Sequence, residues 1–240
     1  AALVADHLPT ASAQTVVVRD NFDTDEGGDN LLFGDSADVG GSWVDGLVTP
    51  GAHIAVSTGF GQESNGAGST EGSRSNTITF APLTTGTWYL SYDIHIGGHS
   101  GGDMQNIFRG GGTGNSSYVI GQGSGGTTGI YQEGMGAGAQ GTVGGLFTNP
   151  PTNVFVQGAY NLDTNDLTIT YRDLDDANNG SGSYSLTMDA GFQPEAFEIF
   201  RNAGGGGNDV GIDNLWIADA PIPEPSSLVL LCLGGLALLS

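Results

Sequence analysis

A chain of 240 residues with no lysine, five arginines and 26 acidic residues carries a formal charge of −21. Such a field repels nucleic acid, so no nucleic-acid partner is expected; it suits solubility, divalent cations or a saline setting without specifying a fold. Glycine, at 43 residues, would suggest disorder, but aromatic and β-branched residues are plentiful and the glycines cluster between apolar stretches.

The first fifteen residues contain Ala11-Ser12-Ala13 followed by Gln14, the small-x-small form of a signal-peptidase site. Residues 1–15 are read as a signal-peptide remnant or a disordered arm. Residues 16–220 are long enough for one all-β domain with a sizeable core. The segment Asp23-Thr24-Asp25-Glu26-Gly27-Gly28-Asp29-Asn30 follows, rich in acid and amide side chains. Asn76 to Phe80 is a candidate strand. Thr87 to Ile96 is the clearest one: Trp88, Leu90, Tyr92, Ile94 and Ile96 alternate with Thr87, Tyr89, Ser91, Asp93 and His95. Glycine clusters near 97, 110, 125, 144 and 204 read as turns and loops. Val154–Leu162 and Leu167–Leu174 read as a hairpin around the polar turn from Asn161 to Asp166. Tyr184 to Asp189, Ala196 to Arg201 and Gly211 to Ile217 complete the strand candidates, and no stretch has an amphipathic helical period. About a dozen strands in this length predict an all-β, two-sheet antiparallel jelly-roll sandwich. Trp43 and Trp216 read as core or strand-edge anchors.

The end of the chain has a different character. Pro223-Glu224-Pro225, then Ser226-Ser227, precedes an apolar run from Leu228 to Leu239 that holds Gly234-Gly235 and the only cysteine, Cys232. Residues 221–240 resemble the PEP-CTERM sorting signal of exported bacterial proteins. The resemblance implies export, a processing protease of the exosortase type, transient membrane attachment, and a final address at the cell surface or in the extracellular matrix. The apolar run is shorter than the roughly 20 residues that span a bilayer, and the basic cluster typical of the family is missing. Either the sequence is clipped at this end or the tail is not a working span; a short C-terminal apolar helix is expected.

A second resemblance covers most of the chain, at the level of pattern. Asp20-Asn21-Phe22-Asp23, the strand at Trp88, the Asn161–Leu174 hairpin and Gly211-Ile212-Asp213-Asn214-Leu215 are similar to the concanavalin A-like lectin/glucanase sandwich. That likeness implies first and last strands lying together and a role in carbohydrate binding.

Glucan-cutting members of that fold class carry a Glu-x-Asp-x-(x)-Glu run, which this chain lacks. Glu195 and Glu198 are three apart, on opposite faces of a strand, and read as solvent-facing edge acids. Ser, His and Asp are present, but no nucleophile elbow stands between a strand and a helix. His95 and His99 have a zinc spacing for a helix, which a strand ending in Gly97-Gly98 does not supply. Oxygen-rich loops suit calcium better: the resemblance pairs Asp20 or Asp23, with Asp25 nearby, with Asp213 at one calcium. The turn at Asp173 to Asn179 is a weaker candidate, otherwise a solvated loop. A sugar-binding face would use flat aromatics and planar polar groups on an exposed sheet face. The candidates there are Tyr89, Asp93 and His95, joined by Asn161 and Arg172. The expected protein is non-catalytic and binds or organises extracellular polysaccharide; a glycoside hydrolase on the same sandwich and a structural surface-layer or filament subunit are the alternatives.

Overall fold

A computed structural model describes residues 14–22, 31–46, 54, 74–96, 103–110, 117–122, 130–134, 138–142, 153–202 and 210–222. Residues 1–13 of the segment read above as signal remnant and 223–240 of the sorting tail, including Pro223, Glu224 and Pro225, lie outside them, as do Asp23 and Asp25.

Alternation becomes structure where it is strongest. Strand β4 spans Thr87–Ile96, and Leu90, Tyr92 and Ile94 on its apolar face are fully buried. Strands β9 (Asn153–Asn161) and β10 (Asp166–Asp173) form the expected hairpin, antiparallel from Asp166↔Asn161 to Asp173↔Val154. Asn161 Oδ1 accepts from the Asp163 and Thr164 amides, and Asn165 takes a positive φ of 59°. An amide side chain tolerates that left-handed position and reverses the chain. Strand β11 (Ser181–Thr187) extends the meander.

Strand β1 (Val16–Asp20) pairs antiparallel with the last strand, β13 (Val210–Ala218), as the resemblance implies. The pairing is continued by Asp219 N donating to Thr15 O (3.1 Å) and by Thr15 N donating to Asp219 Oδ1 (2.8 Å). These six strands form one sheet in the order β1-β13-β4-β9-β10-β11. The second sheet holds β2 (Val44–Asp45), β3 (Arg74–Thr79), β5 (Asp103–Gly110), β6 (Ser117–Gln122), β7 (Ile130–Gly134), β8 (Gly138–Thr142) and β12 (Pro194–Asn202). Its order is β2-β3-β12-β5-β6-β7-β8, all antiparallel. The chain is an all-β, two-sheet antiparallel jelly-roll sandwich, with no helix among the described residues.

Residues from both sheets meet in one core. Trp43 is fully buried between Phe22 (centroids 5.8 Å apart) and Phe197 (6.3 Å), and Phe108 meets Tyr160 edge-on at 4.7 Å. Gly158 stands where a Cβ would lie 2.7 Å from the Tyr160 ring, so a bare backbone lets that ring lie over its own strand. Strands β5 to β8 were not legible in advance. Gly110, read as a turn residue, lies in β5, and further glycines interrupt the pattern of the others: Gly121 in β6, Gly138 and Gly141 in β8. There the neighbouring strands' hydrogen bonds hold the chain extended, where side-chain alternation is too thin to announce it.

A groove across the outer face of the six-stranded sheet

The face of the first sheet turned away from the core carries a row of residues in register across five strands. Asp213 on β13 faces Asp93 on β4, Asp93 faces Phe155 on β9, Phe155 faces Arg172 on β10, and Arg172 faces Ser181 on β11. Each is displayed by simple alternation: its strand neighbours Ile212, Ile94, Val154 and Tyr171 are buried in the core.

A bulge completes the arrangement. The β13–β4 register slips between Asp213 and Trp216, and Asn214 in the slip has φ 52°. Bulges re-aim side chains; here Asn214 Nδ2 donates to Asp93 Oδ2 at 2.8 Å. Burial raises the Asp93 carboxyl above its ordinary range, while Asn214 and the positive charge of Arg172 pull it back. The Arg172 guanidinium lies 5.1 Å from the centre of the Phe155 ring, a cation–π distance. Trp216 and Arg19, paired across β13 and β1, close the near side, and Arg19 lies 3.6 Å from Asp38. The groove, open to solvent on one side, has a volume of about 400 Å³. Two of the chain's five arginines therefore line one feature. Chemically it offers flat aromatic surface, a carboxylate, two amides (Asn21 and Asn214) and two guanidinium groups.

Of the five expected ligand-binding residues, Asp93 and Arg172 come together here. Tyr89 lies on the same face, four residues back along β4. Asn161 pairs with Thr87 at the far end of the sheet, roughly 20 Å from the Asp93 row by strand rise; its amide oxygen is taken by the hairpin turn. The backbone of His95 continues β4 opposite Asn153, and its side chain lies outside the described residues. Asn214 and Trp216 were missed as site residues. Alternation alone puts Asn214 on the face opposite Asp213; only the bulge turns it toward Asp93.

Of the two expected calcium pairs, Asp20 with Asp213 does not form, and the alternative with Asp23 lies outside the described residues. Asp20 pairs with Leu215, whose side chain is in the core, and Asp20 points inward with it. Trp43 Nε1 donates to Asp20 Oδ2 and Phe22 N to Asp20 Oδ1, both at 2.7 Å. Asp213 lies on the outer face in register with Asp93. Carboxylates on opposite faces of one sheet cannot share an ion, so this donor set does not fit calcium. Among the described residues no three His, Cys, Asp or Glu side chains cluster as a metal site.

The Asp173 turn is solvent-exposed from Leu174 to Asn178, as a solvated loop would be, but its two ends are buried and bonded to each other. Asp173 is buried and accepts from the Asp175 and Asp176 amides and from Asn179 Nδ2, while Asp175 accepts from Asn153. Burial alone would raise the Asp173 carboxyl, but these donors hold it below the usual range. Asp173→Ala leaves three donors without their acceptor, so a loss of about 2–3 kcal/mol in a urea unfolding titration is expected. A loss under about 0.5 kcal/mol would contradict this role.

Glu198 corrects another expectation. It is not a solvent-facing edge acid: β12 is central, between β3 and β5, and Glu198 is fully buried, with the Arg109 guanidinium bonded to Oε2.

No protein-family model matches the chain, and no curated protein matches it. Among solved structures it is similar to the lectin UEA-II complexed with galactose, with 10% identity over 70% of this chain and 90% of that one and a TM-score of 0.49. A legume lectin-like domain from Entamoeba histolytica matches with 12% identity over 63% and 81%, TM-score 0.44. The CBM2 module of the evolved Dit of Lactobacillus casei BL23 phage J-1 matches with 13% identity over 62% and 70%, TM-score 0.43. Identities and scores this low carry nothing about ligand.

Proposed function

We propose that the chain is a non-catalytic, exported bacterial protein of the cell surface or extracellular matrix that binds polysaccharide in the outer groove. The observation that carries this reading is the Asp93–Asn214 hydrogen bond set beside Arg172, Phe155 and Trp216. Sugars present hydroxyls in fixed directions around a partly apolar ring. Planar amide, carboxylate and guanidinium groups bond the hydroxyls, and flat aromatic faces cover the ring. The resemblance of the Pro223-Glu224-Pro225 tail to a sorting signal supports export, contact with an exosortase-type protease and a transient membrane stage.

A hydrolase is less well supported. A retaining pair needs carboxyls about 5 Å apart. Asp93 and Asp213 are direct cross-strand neighbours on the outer face, but Asn214 engages both, its side-chain amide donating to Asp93 and its backbone N–H to Asp213, and only Asp93 of the two lines the groove. Glu198 is on the other sheet and is held by Arg109.

Calorimetric titration of the full chain with soluble polysaccharides tests the reading. Binding should weaken at least tenfold, about 1.4 kcal/mol, in Arg172→Ala and in Trp216→Ala. Unchanged affinity in both variants would move the site elsewhere. No heat from any polysaccharide would favour a structural surface subunit.

A further inference from the structure

The groove does not stop at Arg172. A second hollow of about 430 Å³, lined by Thr170, Arg172, Ser181 and Ser183, lies on its far side and shares the Arg172 side chain. The two together follow the row of side chains from β13 to the edge strand β11. This path runs across the strands, and four inter-strand spacings make it roughly 19 Å long. Its character changes along the way. The end at Trp216, Asn214, Asp93 and Phe155 is aromatic and amide-rich, whereas the end at Thr170, Ser181 and Ser183 offers exposed hydroxyls. A single sugar ring would fill one hollow and leave the other empty. Among the described residues no further strand of this sheet lies beyond β11, so there the path reaches the sheet edge.

Resting on the reading above, we infer that the groove takes an internal segment of a linear polysaccharide, several linked rings long and lying across the strands, with Arg172 bridging two subsites. The inner subsite stacks one ring between Trp216 and Phe155. The outer subsite holds the following rings by hydrogen bonds to Ser181, Ser183 and Thr170. Because the chain runs on past β11, recognition does not require a chain end.

The test is calorimetry on the full chain with linear β-1,4-glucan, β-1,3-glucan, α-1,4-glucan and β-1,4-xylan oligosaccharides, each from monosaccharide to octasaccharide. In at least one series affinity should rise tenfold or more between monosaccharide and tetrasaccharide and then level off. Capping the reducing end as a methyl glycoside should leave the longer members unchanged. Ser181→Trp, at an exposed position on the edge strand, should abolish the gain with length while sparing the shortest member that binds. If its thermal melt shows that it does not fold, Ser183→Trp serves in its place. A monosaccharide that binds as tightly as the octasaccharide overturns the extended mode and leaves the groove as a one-sugar site. A length gain that survives the tryptophan block also overturns it, because the rings then lie elsewhere. Loss of binding on capping would show recognition of a chain end, and silence from all four series would remove both the extended mode and the reading beneath it.

Discussion

Trp43→Ala is expected to cost about 3–5 kcal/mol of folding stability, the range for deleting a buried indole. Trp43 is fully buried, packs on Phe22 and Phe197, and so joins the β1 end of one sheet to the centre of the other. Its backbone is also fixed, with Trp43 N donating to Asp35 O and Gly34 N to Trp43 O, each at 2.9 Å. The surrounding segment cannot collapse into the void without breaking those bonds. The mutation removes one more thing, the indole N–H that Asp20 accepts. Trp43→Phe separates the two losses: it keeps most of the ring and drops the donor, so it should cost less than the alanine, about 1–3 kcal/mol. Urea titration of all three proteins checks this. An alanine variant within about 1 kcal/mol of wild type would mean that the site relaxes freely, which is incompatible with its place in the core.

Wild-type stability should fall as pH rises from about 4 to about 6, by about 3 kcal/mol from Asp20 alone. Desolvation by burial lifts the Asp20 carboxyl from 3.8 to about 6, against the hydrogen bonds from Trp43 and Phe22 that favour its charge. Between those two values the unfolded chain has already released the proton that the folded chain retains. The unfolded state therefore gains, and stability declines with rising pH. The contribution is complete below the unfolded value and gone above the folded one; about two pH units at 1.36 kcal/mol each set its size. Asp20→Asn tests the assignment. An amide presents one acceptor where the carboxylate presents two, so the whole curve should drop by about 1–2 kcal/mol. Its slope between pH 4 and 6 should nevertheless be flatter than that of wild type by the Asp20 share. Parallel curves in the two proteins would show that the slope arises elsewhere.

Asp20 also shows where reading a chain reaches its limit. An acid beside a run of valines has no visible phase: Val16, Val17 and Val18 occupy both faces of β1, so alternation cannot say which way Asp20 points. Its direction comes from pairing with Leu215, almost 200 residues later. Glu198 differs in kind. Its separation from Glu195 was read as placing the two acids on opposite faces, but whether a strand is central or at an edge is a property of its neighbours, and β3 and β5 made it central.

The sequence by itself determined the all-β class, the boundaries of β4, the β9–β10 hairpin and the face on which Asp93 and Arg172 sit. These are local matters: side chains of a strand alternate with period two, and turn chemistry lies within a few residues of where it acts. Tertiary structure alone decided that Asp93 and Arg172 share a row with Phe155 between them, because strand order joins segments far apart in the chain. It also decided the bulge that turns Asn214, 121 residues from Asp93, into hydrogen-bonding range. A bulge is a slip of one strand against another, so it has no meaning until the partner strand is in place.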